Sequence, residues 1–186
     1  MTSQDIISLK IFISYSHDSA EHMSRVLRLA DRLRADGIDC ELDQYEESPP
    51  EGWPKWARRK MTESEYVLVA CTETYLRRFD GKEDPGKGRG VKWEGAILTQ
   101  ELYEADGRNQ KFIPVVFSAD ELQYVPIELR GTTHYILSVE ADFDKLYRRL
   151  TNQPLVTKPQ LGQLKRLPSR EQKAEFSASP WNVPYR

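Results

Sequence analysis

Tyr66-Val67-Leu68-Val69-Ala70-Cys71-Thr72 decides the fold. A strand with one solvated face alternates apolar and polar residues, whereas this run has no polar face until Thr72, so both of its faces must be covered. That condition describes the central strand of a parallel sheet. Toward the N-terminus, Lys10-Ile11-Phe12-Ile13-Ser14-Tyr15 repeats the pattern and breaks into Ser16-His17-Asp18-Ser19, as a buried strand does on reaching its functional end. Asp18 is then placed to cap a helix, with Glu21 three residues on, and Met23, Val26, Leu27, Ala30 and Leu33 recur at helical spacing until Gly37 stops the element. Ile38, Cys40 and Leu42 alternate with polar residues, giving a second strand that ends at Asp43.

Residues 43–53 are acidic and rich in residues that break regular structure, and Pro54 can open a helix through about Thr62. Beyond the central run, Thr72 to Phe79 form a short helix. Residues 80–90 read as a glycine- and proline-rich insertion, and 91–106 as a helix whose apolar face includes Val91, Ile97, Leu98 and Leu102. Phe112 to Phe117 and Tyr135 to Leu137 supply the last two strands, and Phe143 to Leu150 a closing helix. Strands alternating with covering helices predict an α/β fold with a five-stranded parallel sheet, flavodoxin-like order 2-1-3-4-5 and helices on both faces. This pattern occupies residues 1–153. Residues 154–186, with Pro154, Pro159, Pro168, Pro180 and Pro184, read as a basic tail or linker.

Composition removes several function classes. With 39% hydrophobic and 30% charged residues in a chain of 186, the sequence is too apolar for disorder and too polar for a membrane protein. No apolar run approaches the roughly 18 residues of a membrane span, and Met1 to Lys10 lacks a secretory pattern, so a cytoplasmic location is expected. The formal charge of −2 is unevenly spread: Lys158, Lys165, Arg166, Arg170, Lys173 and Arg186 face only Glu171 and Glu175 in the tail, which leaves an acidic body. General nucleic-acid binding is not expected of such a surface. Cys40 and Cys71 sit in apolar strands without a CxxC or Cys/His cluster and read as buried thiols.

In a doubly wound sheet, ligands bind beyond the carboxyl ends of the strands near the switch point between the first and third. That rule selects Tyr15, Ser16 and His17, then Asp43, then Thr72 to Tyr75. Other motifs fail on chemistry. Gly81 to Gly88 fits most of a phosphate-binding loop, but position 88 is Gly where Ser or Thr must hold magnesium, and Glu83 and Asp84 would repel phosphate. His17, Asp18, Glu21 and His22 could be drawn as a metal cluster, yet the histidines are five apart, a poor helical pairing; they read as a solvated helix start, and no metal is expected. A phosphoacceptor Asp at the end of the third strand is missing, since Cys71-Thr72 stands there, and the Ser14–Ser19 turn is a poor flavin phosphate loop.

Phe12-Ile13-Ser14-Tyr15-Ser16-His17-Asp18, Leu42-Asp43, Gly52-Trp53-Pro54-Lys55-Trp56, Val67-Leu68-Val69 and Gly90-Val91-Lys92-Trp93-Glu94-Gly95 occur in an order and spacing that resemble TIR domains, especially SEFIR domains, over about residues 9–150. The resemblance implies self-association, partners of the same TIR or SEFIR kind, and a role in innate immune or antiphage signalling. Many TIR domains cleave NAD, so it also implies NAD as a substrate, with no further cofactor. Glu94 matches the family's catalytic glutamate best. Trp93 directly before it and the glycine-rich insertion depart from the usual spacing, and Glu101 is a weaker candidate. The segment from Asp43 to Trp56 corresponds to the family's loop that changes shape on assembly and lines the pocket. With the switch-point positions added, Tyr15, Ser16, Asp43, Trp53, Trp56, Tyr75 and Trp93 are the expected substrate-binding residues, core packing being an equal reading of Trp56 and a strand-end turn an equal reading of Tyr15 and Ser16.

A single carboxylate suffices for that chemistry. Ordinary glycosidases need a second carboxyl group to protonate the leaving oxygen, whereas nicotinamide in NAD already carries the positive charge and departs neutral. What remains is an oxocarbenium-like ribose that a carboxylate can stabilise. A glutamate in the first turn of a helix is also explained by the macrodipole alone, which keeps a non-enzymatic interaction adaptor as the alternative.

Overall fold

Alternate residues of the first strand serve two different cores. The computed structural model describes residues 9–82, 96–100, 103–104 and 109–169. Among these, β1 (Lys10–Ser14), α1 (Ala20–Ala35), β2 (Asp39–Glu41), α2 (Trp53–Glu63), β3 (Tyr66–Ala70), α3 (Glu73–Phe79), β4 (Phe112–Val116), β5 (Tyr135–Ile136) and α4 (Glu140–Leu150) follow one another in the chain. The strands form one parallel sheet in the order β2-β1-β3-β4-β5, as the sequence predicts. Ile11, Ile13, Leu68 and Ala70 face one way and pack with Val26, Leu33, Phe143 and Leu146 of α1 and α4. Phe12, Val67 and Val69 face the other way, against Trp56, Met61 and Tyr75 of α2 and α3. Helices therefore cover both faces, and β3 has no polar face because neither of its faces meets water.

The central register places Phe12 opposite Val67 and Ser14 opposite Val69, so β1 and β3 end together at one edge. Pro114 interrupts no ladder. Lys111 and Val115 accept bonds from β3, so Pro114 faces β5, whose pairing begins only at Val115. Across the α1 and α4 layer, the Arg32 guanidinium lies 3.5 Å from the Phe143 ring centroid and pairs with Glu140.

Several boundaries differ from the sequence reading for local reasons. Ser19, not Asp18, caps α1, its hydroxyl accepting from the His22 N–H at 3.1 Å, because the Asp18 carboxylate is taken by the Ser16 hydroxyl. Gly37 ends the helix with φ +89°, a conformation that favours glycine. Between β4 and β5 the chain makes two 3-10 turns, Ala119–Tyr124 and Ile127–Leu129, the first opened by a reciprocal Ser118 and Glu121 capping box. Residues 96–100 and 103–104 are helical, with Leu98 in the α2 and α3 core. The phosphate-loop-like stretch from residue 83 onward lies outside the described residues.

The chain divides into two units, Met1–Leu155 and Val156–Arg186. In the second, residues 156–169 contain neither helix nor strand and are exposed. No helix among the described residues is long and apolar enough to cross a membrane.

Candidate functional site at the carboxyl edge of the sheet

Where β1 and β3 end side by side, four hydroxyl groups meet in the protein interior. The Ser14 Oγ lies 2.9 Å from the Tyr75 hydroxyl, and the Ser16 Oγ lies 3.2 Å from the Thr72 Oγ1. Ser16 has one proton and gives it to the Asp18 carboxylate, so in the second pair Thr72 is the donor. The Thr72 Oγ1 in turn accepts from the Tyr75 N–H at 3.1 Å and thereby caps α3. All four residues are buried, Ser16 and Tyr75 almost completely. The crevice that the switch-point rule assigns to a ligand is closed at this depth by its own side chains.

A second cluster lies toward solvent, between β1 and the 3-10 turn Asp43–Tyr45. Tyr15 donates its hydroxyl proton to the Asp43 Oδ1 at 2.7 Å and accepts from the Gln44 Nε2 at 2.9 Å. The same Gln44 amide donates to the Met23 carbonyl at 3.0 Å, which ties the turn to α1. The other carboxylate oxygen, Oδ2, accepts from the His17 Nε2 at 2.7 Å. Asp43 is thus held through both oxygens, one by a buried phenol and one by an exposed imidazole. Each oxygen keeps one further lone-pair site, so a sugar hydroxyl can reach this carboxylate fully only by displacing His17 or lifting the turn.

The segment after Asp43 is pinned at both ends. Tyr45 donates to the Asp31 Oδ1 at 2.6 Å, and burial together with that carboxylate pushes its phenol well above the usual range. At the far end, Glu51 accepts from the Arg59 Nη2 at 2.6 Å. Gly52, with φ +80°, turns the chain into α2. The two tryptophans then part company. Trp56 is 3% exposed, edge-on to Phe12 with ring centroids 5.8 Å apart, and is a core residue; Trp53 packs edge-on to it at 5.7 Å yet remains 46% exposed.

Of the expected substrate-binding residues, the structure brings Tyr15 and Asp43 into direct contact and leaves Trp53 at the surface nearby in sequence. Ser16, Trp56 and Tyr75 are buried, and a ligand reaches none of them without rearrangement. Trp93, Glu94 and Glu101 lie outside the described residues. The switch-point rule had selected His17, which the structure places on Asp43, whereas two participants, Gln44 and His22, were not assigned a site role from sequence. His22 is no part of a solvated helix start, because its ring is buried beside Tyr15, with centroids 6.0 Å apart, and edge-on to Phe117 at 5.7 Å. Among the described residues its Nε2 has no hydrogen-bond partner, and burial lowers its pKa against the opposing pull of Asp18 and Glu121. Burial likewise raises the Cys40 thiol to about 12 and the Cys71 thiol further, so neither is a thiolate nucleophile at neutral pH.

Comparison with known proteins agrees with this architecture. Among solved structures, a prokaryotic SEFIR domain is 22% identical and aligns over 83% of this chain and 100% of its own, with a TM-score of 0.61. The TIR domains of the activated Roq1 resistosome, which recognises the pathogen effector XopQ, align over 78% of this chain and 81% of theirs at 16% identity and a TM-score of 0.44. The first of these speaks to the fold. A family model for the SEFIR domain matches residues 9–150, the whole of the sheet and its helices, and on that match the chain belongs to the SEFIR domain family.

Proposed function

We propose that this signalling domain self-associates through the segment from Asp43 to Trp53, and that association is what makes its strand-end edge available to NAD. The observation that carries the reading is the double engagement of Asp43 by Tyr15 and His17 beside a half-exposed Trp53. In the single chain these polar groups satisfy one another, so a ligand gains little by replacing them. A partner that binds better to a lifted 43–52 segment supplies the free energy to release Asp43 and Tyr15 together. Glu94 is the residue assigned to stabilise the ribose cation as nicotinamide departs, a step needing no general acid. Antiphage or immune signalling, with NAD depletion as its output, follows by analogy of fold.

An interaction-only adaptor is the second reading, favoured by the burial of Ser16, Trp56 and Tyr75, which leaves fewer groups for substrate. Incubating the full chain with NAD, with and without a crowding or clustering agent, separates the two. Nicotinamide release on clustering that is lost in Glu94→Ala supports cleavage. Clustering without release by the wild type leaves the adaptor, and equal release from the variant removes Glu94 from its role.

A further inference from the structure

Charge changes sign abruptly at Trp53. On its N-terminal side, Asp43, Glu46, Glu47 and Glu51 are carried without any Lys or Arg from residue 43 to residue 52. On its C-terminal side, α2 carries Lys55, Arg58, Arg59 and Lys60 against Glu63 alone. Some of these charges are neutralised within the chain, Arg59 by Glu51 at 2.6 Å and Lys60 by Glu41 at 2.8 Å. Among the described residues, Glu47, Lys55 and Arg58 have no ionic partner, and all three are exposed. The start of α2 adds to the imbalance. Gly52 offers no side-chain cap, the first turn has no acidic residue, and Lys55 stands there instead. Backbone donors and a cation at the positive end of a helix favour an arriving carboxylate.

We infer that the partner of this surface is a second copy of the same chain, related by a two-fold axis near Trp53, with the acidic segment of each copy lying on the basic face of α2 of the other. This rests on the proposed self-association and adds its geometry. Two adjoining patches of opposite sign are self-complementary under a two-fold rotation, which satisfies both pairs at once and closes at two chains. A head-to-tail contact uses one patch of each copy, leaves the other open and keeps growing. Trp53, half-exposed at the junction, falls at the axis, where an aromatic anchor is shielded from water best.

Sedimentation velocity on the full chain tests this with Glu47→Lys, Lys55→Glu and the double variant, and with Arg58→Glu as a second basic-face change. All three positions are exposed, and an unchanged denaturation midpoint verifies folding. The wild type is expected to dimerise, less so as salt rises from about 0.05 M to about 1 M and the screening length falls to about 3 Å. Each single reversal acts twice in a two-fold interface and weakens dimerisation by about tenfold. The double variant recovers, and an equimolar mixture of Glu47→Lys with Lys55→Glu forms a heterodimer that stops at two chains. Growth of that mixture beyond two chains overturns the two-fold arrangement. Association that no reversal alters overturns the charge pairing while leaving self-association intact, and a wild type that stays monomeric even when clustered removes both.

Discussion

The seam between β1 and β3 and the edge between β1 and the Asp43 turn are built from similar groups, hydroxyls and carboxylates a few ångströms apart, yet they differ in what surrounds them. At the seam, Ser14, Ser16, Thr72 and Tyr75 are buried, and their bonds hold two strands and the start of α3 together. At the edge, Tyr15, His17, Asp43 and Gln44 hold a three-residue turn whose carboxylate and imidazole reach solvent. Bonds of the first kind are costly to break because water cannot replace them, whereas the exposed His17–Asp43 bond of the second exchanges with water at small cost. The seam belongs to the scaffold, and on the proposed reading the edge is the part that moves.

The largest effect that sharpens this contrast compares the tryptophans. Trp56→Ala is expected to lower unfolding free energy by about 3–5 kcal/mol, against under about 1 kcal/mol for Trp53→Ala, both read by urea denaturation. Comparable losses would mean that Trp53 also belongs to the scaffold. Next, Tyr75→Phe removes a bond from a buried serine and is expected to cost about 1–2 kcal/mol. The matching edge change, Asp43→Asn, is expected to cost under about 1 kcal/mol while speeding amide exchange in residues 43–52. A larger penalty for Asp43→Asn than for Tyr75→Phe would invert the two regions.

His22 adds a pH dependence on the scaffold side. Burial lowers its folded-state pKa below 6.5, so below that value the unfolded chain holds the extra proton. Its contribution is complete above about pH 6.5 and is lost as pH falls toward the depressed value, at no more than about 1.4 kcal/mol per pH unit. Asp18, Glu121, Arg25 and His17 act on the same ring. The check is therefore the difference between wild type and His22→Phe in denaturation from pH 7.5 down to about pH 5, the variant showing the shallower decline. Parallel curves would show that His22 does not titrate on unfolding.

The fold was legible because its signals are cumulative. Tyr66 to Cys71 has no polar face, β1 shares that property, and helical spacing separates them. The candidate site was legible only as a location. Ser16 and Tyr15 are neighbours at a strand end, and nothing local distinguishes the one that turns inward to Thr72 from the one that reaches Asp43. Gln44 left no signal, since its role depends on the Met23 carbonyl on another element. His22 did leave one: with Val26, Leu29 and Leu33 it continues the buried stripe of α1 at helical spacing, and reading it as part of a solvated helix start hid that placement.

Amide hydrogen exchange of the full chain across a dilution series is the most direct measurement. If association acts by moving the Asp43 turn, exchange in residues 43–53 changes with concentration while β1 and β3 stay constant. Exchange in that segment that is identical in monomer and assembly contradicts the account.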